Sequence, residues 1–218
     1  MTKVGVILSG CGYLDGSEIR ESVLTLLALE KVGIEYECLA PDVEQRDVVD
    51  HLNGSAISGD KRNTLEEAAR IARGAIRATG DADSAEFDGL VIPGGYGAAK
   101  NLCDFAVAGP DCEVEKSVAR LVNDTHAQGK PIGFICIAPA IAARLIPGAR
   151  LTIGNDPGTA EAIEKMGAQH VECFSDSFVT DDEQRVLSTP AYMCDASIPQ
   201  IAQGIEEMVR RLGEMAGA

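Results

Sequence analysis

The chain has 218 residues, 45% of them hydrophobic and 24% charged, enough for one well-buried core and ordinary for a globular protein. A formal net charge of −15 repels phosphate backbones and anionic membranes, so neither a nucleic acid nor a membrane is expected as a partner. No run of about 18 or more uncharged apolar residues occurs, which argues against a transmembrane helix. The apolar start is too short for a signal h-region, so a cytoplasmic location is the default expectation.

In chain order, Lys3–Ser9 reads as a short core strand that runs into Gly10-Cys11-Gly12. A helix follows from about Glu18 to Val32, with Leu24, Leu27, Ala28 and Val32 on one face and Gly33 ending it. Ile34–Ala40 is a second strand, stopped by Pro41, and residues 42–60 are polar and turn-rich, a loop with a hairpin or short excursion. Thr64–Arg77 has the helical stripe Leu65, Ala68, Ile71 and Ala72. Phe87–Ile92 is a buried strand leading into Pro93-Gly94-Gly95, and helices are predicted over Ala98–Val107 and Val114–Gln128. Pro131–Ile135 is another buried strand, followed at once by Cys136, with a helix over Pro139–Leu145. Arg150–Ile153, His170–Cys173, Phe178–Thr180 and Val186–Ser188 are short strand candidates, the last two joined by a turn at Asp182-Glu183-Gln184. Ile198–Met215 closes the chain as an amphipathic helix. Apolar strands alternating with helices predict one α/β domain over residues 1–218, a mostly parallel sheet with helices on both faces. Ligands of such sheets bind beyond the carboxyl ends of the strands, which directs attention to the segments after Leu8, Ile92 and Ile135.

The seven cysteines, Cys11, Cys38, Cys103, Cys112, Cys136, Cys173 and Cys194, are odd in number and widely spaced. They form no C-x-x-C pair and no Cys/His cluster of zinc-like spacing, so free thiols are expected and no metal. Cys136 stands apart. A strand that turns directly into a helix exposes its turn residue above the sheet, often in strained geometry, and free N–H groups there should lower the thiol pKa. Gly94 and Gly95 end another strand, where backbone N–H groups can face a developing oxyanion. Glu18 and Glu21, in the first turn of the first helix, complement its dipole, and one facing the mouth of the sheet could also shuttle a proton.

The stretch Val91-Ile92-Pro93-Gly94-Gly95, followed about forty residues later by Phe134-Ile135-Cys136-Ile137-Ala138-Pro139, resembles the ThiJ/PfpI superfamily. That resemblance implies a flavodoxin-like three-layer sandwich of the class I glutamine-amidotransferase-like fold. Within the superfamily the chain is similar over its whole length to the ElbB group, described as a glyoxalase and named for enhancing isoprenoid biosynthesis. Further matching stretches are Gly5–Gly12, Asp15–Ile19, Thr189–Met193 and Leu151-Thr152-Ile153-Gly154. The resemblance puts the nucleophile at Cys136 and the oxyanion donors at Gly95 and Ile137. It puts the cysteine-paired glutamate twelve residues before Gly33, at Glu21, with Glu18 as the alternative.

Peptidase-like members carry a histidine directly after the cysteine, where this chain has Ile137. His51, His126 and His170 read as structural or solvated, so no Cys-His dyad is visible and peptidase chemistry is disfavoured. The function implied is a cofactor-free glyoxalase that turns a small aldehyde, glyoxal or methylglyoxal, into a 2-hydroxy acid without metal or glutathione. A redox sensor linked to isoprenoid synthesis with little turnover, and a Cys hydrolase or amidotransferase-like enzyme, are the alternatives. Cys11, Asn155, Asp156 and the Tyr192 hydroxyl are further candidates to line the pocket. A homodimer is the expected assembly.

Overall fold

The computed structural model describes residues 2–218. The strands in chain order are β1 (Lys3–Ile7), β2 (Glu35–Ala40), β3 (Val49–Asp50), β4 (Ser55–Ala56), β5 (Ile76–Ala78), β6 (Gly89–Ile92), β7 (Ile132–Ile135), β8 (Arg150–Leu151), β9 (Gln169–His170), β10 (Val179–Asp181) and β11 (Val186–Thr189). The helices are α1 (Ile19–Lys31), α2 (Thr64–Ile71), α3 (Tyr96–Lys100), α4 (Phe105–Ala108), α5 (Lys116–Ala127), α6 (Pro139–Leu145), α7 (Pro157–Lys165) and α8 (Ile198–Ala216).

Seven strands form the central sheet in the order β10-β11-β7-β6-β1-β2-β5. All neighbours are parallel except the β10–β11 hairpin. Side chains alternate along each strand, so each strand feeds both faces. Leu90, Ile92, Ile132 and Phe134 pack with Leu121, Val122 and Ile141 on the α5 and α6 face. Val4, Val6, Val91 and Ile135 pack with Leu29, Ile201, Ile205 and Met208 on the α1 and α8 face. The result is the expected flavodoxin-like three-layer α/β sandwich. From β1 the chain proceeds to one side through β2 and β5, then returns to build β6, β7 and β11 on the other. The reversal lies between β1 and β6, where a crevice opens at the carboxyl ends of the strands.

Four expected elements are corrected and one helix is added. The helix assigned to Thr64–Arg77 stops at Ile71, because Arg73 (φ 53°) and Gly74 (φ 84°) turn the chain left-handed. Residues 76–78 then extend as edge strand β5 beside β2. The single helix over Ala98–Val107 is two, α3 and α4, broken where Cys103 bridges Val114 and where Asn101 turns its amide to the carbonyls of Ser9 and Asp15 at 2.9 and 2.8 Å. Helix α7 was not anticipated, although Asp156 caps it through the Thr159 N–H at 2.7 Å and Pro157 opens it. Arg150–Ile153 and His170–Cys173 shorten to β8 and β9, which pair with each other outside the main sheet. The hairpin turn at 182–184 is present, its N–H groups held by Asp181.

Candidate active site

Cys136 follows β7 without a spacer and sits at φ 63°, the left-handed region that costs an ordinary residue about 1–2 kcal/mol. Its neighbours hold it there. Its N–H donates to the Thr189 carbonyl at the end of β11, 2.9 Å away, and Pro139 starts α6 three residues on. The side chain is 7% exposed and forms part of the floor of a cleft of about 780 Å³. The backbone N–H groups of Gly95 and Ile137 lie near enough to its sulfur to favour the anion.

Gly94 lies beneath this arrangement. A methyl group there would collide with Cys136 Cβ, with Glu21 Oε2 and with the Ile135 carbonyl, so only glycine lets the β6 and β7 turns meet. Gly95 takes φ 93° and faces the backbone of Gly16 and Glu18, a conformation and an approach that exclude a side chain. The long loop after β1 is tied to these turns. Gly94 accepts from the Glu18 N–H at 2.9 Å and Gly16 accepts from the Gly97 N–H at 2.9 Å. This fixes where α1 begins, and hence where its first turn points.

The carboxyl against the cysteine is Glu21, fully buried at 0% exposure. It lies beside the Cys136 side chain, both of them against Gly94, close enough for each to shift the other's acidity. Its Oε2 accepts from the Gly94 N–H at 3.0 Å and its Oε1 from the Tyr192 N–H at 3.3 Å. Glu18 has a different position: it caps α1, accepting from the Glu21 N–H at 2.6 Å, and its side chain lines the cleft. Burial, with the nearby Glu18 charge second, pushes Glu21 up to about 8, against the hydrogen bonds from Tyr192 and Gly94. Glu18 is itself raised by burial.

The expected resting thiolate is corrected by the same geometry. Burial drives the Cys136 thiol well above its ordinary range, and the Glu21 charge adds to this. The Gly95 and Ile137 N–H groups pull the other way but do not outweigh the loss of water. Burial therefore favours the thiol over the thiolate at Cys136 and the protonated over the ionised carboxyl at Glu21. Glu21, pushed up to about 8, becomes available as a base for the thiol's proton as its carboxyl ionises.

Other candidates lie elsewhere. Cys11 is half-buried and outside the cleft lining, in the field of Glu67, Arg70, Asp15 and Arg62 beside α2. Asn155 is exposed and outside the cleft lining, and Asp156 is spent on capping α7. Tyr192 does line the cleft, but its hydroxyl accepts from Arg20 at 3.2 Å while its backbone N–H serves Glu21. No histidine lines the cleft. His51 stands behind Tyr13, accepting from the Leu14 N–H at 3.2 Å, and His126 pairs with Gln184. Among the described residues, no three His, Cys, Asp or Glu side chains cluster as a metal site requires.

Sequence reasoning missed the Tyr192 N–H, Arg20 and the aromatic walls Tyr13, Tyr96 and Phe105. Tyr96 directly follows Gly95, so its place at the mouth was legible. The Tyr192 N–H was not, because it depends on Ala191 taking φ 42° after β11.

The comparisons agree with this architecture. Residues 13–196 match the model of the DJ-1/PfpI family. The chain is 43% identical over 224 residues to the human "Glutamine amidotransferase-like class 1 domain-containing protein 3, mitochondrial", covering 99% of this chain and 84% of the relative. A crystal structure of an isoprenoid biosynthesis protein with an amidotransferase-like domain from Ehrlichia chaffeensis superposes with a TM-score of 0.92 at 38% identity, over 99% of both chains. Glyoxalase III from Candida albicans shares the fold, with a TM-score of 0.62 at 15% identity over 97% of both chains. By family match and overall identity, the chain belongs to the DJ-1/PfpI family.

Proposed function

We propose that the protein is a cofactor-independent glyoxalase of the ElbB type, converting 2-oxoaldehydes to 2-hydroxy acids. The observation that carries this reading is Glu21 beside Cys136, with two backbone N–H groups near the sulfur, in a cleft lined by no imidazole. The fold shared with a glyoxalase III supports it.

The Glu21 carboxylate takes the thiol proton as sulfur adds to the aldehyde carbon, forming the C–S bond and opening the carbonyl to an oxyanion. The Gly95 and Ile137 N–H groups stand where that oxygen can be stabilised. Protonation of the oxyanion gives a hemithioacetal. Glu21, lying against the sulfur, then moves the C1 proton to C2 through an enediol. The aldehyde carbon is oxidised to a thioester as the neighbouring ketone is reduced to an alcohol, so no outside oxidant is required. Water cleaves the thioester, releasing the 2-hydroxy acid and the thiol. The same reading has the protein acting as a homodimer, which light scattering on the purified chain tests.

The redox-sensor alternative needs a thiolate at neutral pH, which burial beside Glu21 opposes. A Cys-His hydrolase lacks its base in the cleft. The test is lactate formation from methylglyoxal without glutathione and with a chelator present. Cys136→Ala should lower kcat/KM by about 10³-fold or more, and a variant retaining full turnover would overturn the proposal.

A further inference from the structure

We infer that the cleft selects 2-oxoaldehydes carrying a bulky, flat apolar substituent, such as an aryl group, over glyoxal and methylglyoxal. The inference rests on the glyoxalase reading above and concerns what else the substrate must carry. The cleft of about 780 Å³ is in the range that holds ligands of drug size, roughly 300–1,000 Å³. Methylglyoxal has five heavy atoms, roughly 150 Å³ at the ~30 Å³ share of a water molecule. It fills the neighbourhood of Cys136 and leaves most of the cleft empty.

The remaining space is built for rings. Tyr13, Tyr96, Phe105 and Tyr192 line it, four of the nine aromatic residues of the chain (4 Tyr, 5 Phe). Tyr13 and Tyr96 are 49% and 52% exposed, although large apolar groups left in water are costly unless something covers them. Neither stance is accidental: the Tyr96 N–H donates to the Tyr13 carbonyl at 2.7 Å, Tyr13 stands edge-on to His51, and Lys100 Nζ lies 5.6 Å from the Tyr96 ring centre. Rings held in this way offer faces and edges to a second ring. Tyr96 follows Gly95 directly, so its ring and the oxyanion donor belong to one turn of the cleft wall.

The experiment compares kcat/KM for phenylglyoxal and methylglyoxal in the native protein, in Tyr96→Ala and in Tyr13→Ala, using initial rates with Cys136→Ala as the blank. Both tyrosines are half exposed, so truncation leaves the core intact, and a thermal melt of each variant reports on folding. The expected result is a preference for phenylglyoxal, read as the ratio of the two kcat/KM values in one preparation, that falls about tenfold in each variant. Because the two aldehydes differ in intrinsic reactivity, the change in their ratio carries the conclusion. Turnover of both with an unchanged ratio overturns this inference alone. Turnover of neither by the native protein removes the glyoxalase reading and this inference with it.

Discussion

At Cys136 opposing effects meet on one sulfur. Two N–H groups favour the anion, while the loss of water and the neighbouring carboxyl favour the thiol, and the second pair prevails. The ionisable group nearest to neutrality is therefore Glu21, pushed up to about 8. If its carboxylate is the base, kcat/KM should rise about tenfold per pH unit below 8 and level off above it. Glu21→Gln should remove that rise and cost about 10²- to 10⁴-fold in kcat/KM, as read from rate profiles between pH 5.5 and 9.5. Glu18 gives the converse test. Its negative charge raises Glu21, so Glu18→Gln, which still accepts the Glu21 N–H, should move the rise to lower pH. A profile displaced upward, or not at all, would show that Glu18 acts on the site only as a cap.

At the scale of elements, the site is a meeting of four strand ends and one helix start. The turn after β6 supplies Gly94 and Gly95, the turn after β7 supplies Cys136 and Ile137, and β11 with its sequel supplies the Thr189 carbonyl and the Tyr192 N–H. The loop after β1 carries Glu21 into position. Gly94 holds these pieces at contact distance. Gly94→Ala should destabilise the fold by about 1–3 kcal/mol through overpacking and displace Glu21 from the sulfur. Activity should fall further than the loss of folded protein explains, as denaturation and kinetics on one sample would reveal. Gly97, whose added methyl would meet Gly16 and the Ser9 carbonyl, is tightly packed as well, but it touches neither Cys136 nor Glu21. The same stability loss at Gly97→Ala should therefore leave more of the activity.

Over the whole molecule, burying Glu21 couples stability to pH. Between its ordinary value of 4.5 and about 8 the folded state keeps a proton that the unfolded chain has released. Stability from this group is thus full below pH 4.5 and declines as pH rises, by about 1.4 kcal/mol per unit across that window. The exposed carboxylates held low by their partners, Glu86, Asp156, Glu161 and Asp182, act at acid pH and with the opposite sign. Melting temperature should accordingly drop from pH 5.5 to 8, and Glu21→Gln should flatten that slope. A slope unchanged in the variant would show that the net charge of −15, through self-repulsion, governs the trend instead.

What the sequence determined by itself was periodic or adjacent. Alternating short apolar strands and helices establish the α/β sandwich, since both signals depend on neighbours a few residues apart. The spacing of Gly94-Gly95 and Cys136 after their strands marks the end of the sheet where chemistry occurs. Gly33 stops α1, and only the family resemblance turns the distance back from it into a choice of Glu21, with Glu18 as the alternative. The helix assigned to residues 64–77 ended early because Arg73 entered the left-handed region, which residue type alone does not announce. Asp156-Pro157 was a legible helix start that was read as pocket lining. Tertiary structure alone decided the rest: which of Glu18 and Glu21 lies beside the sulfur, and that burial opposes the thiolate at Cys136. Each turns on water excluded by segments far apart in the chain, and no local pattern encodes how much solvent a side chain loses when β1, β6, β7 and β11 close around it.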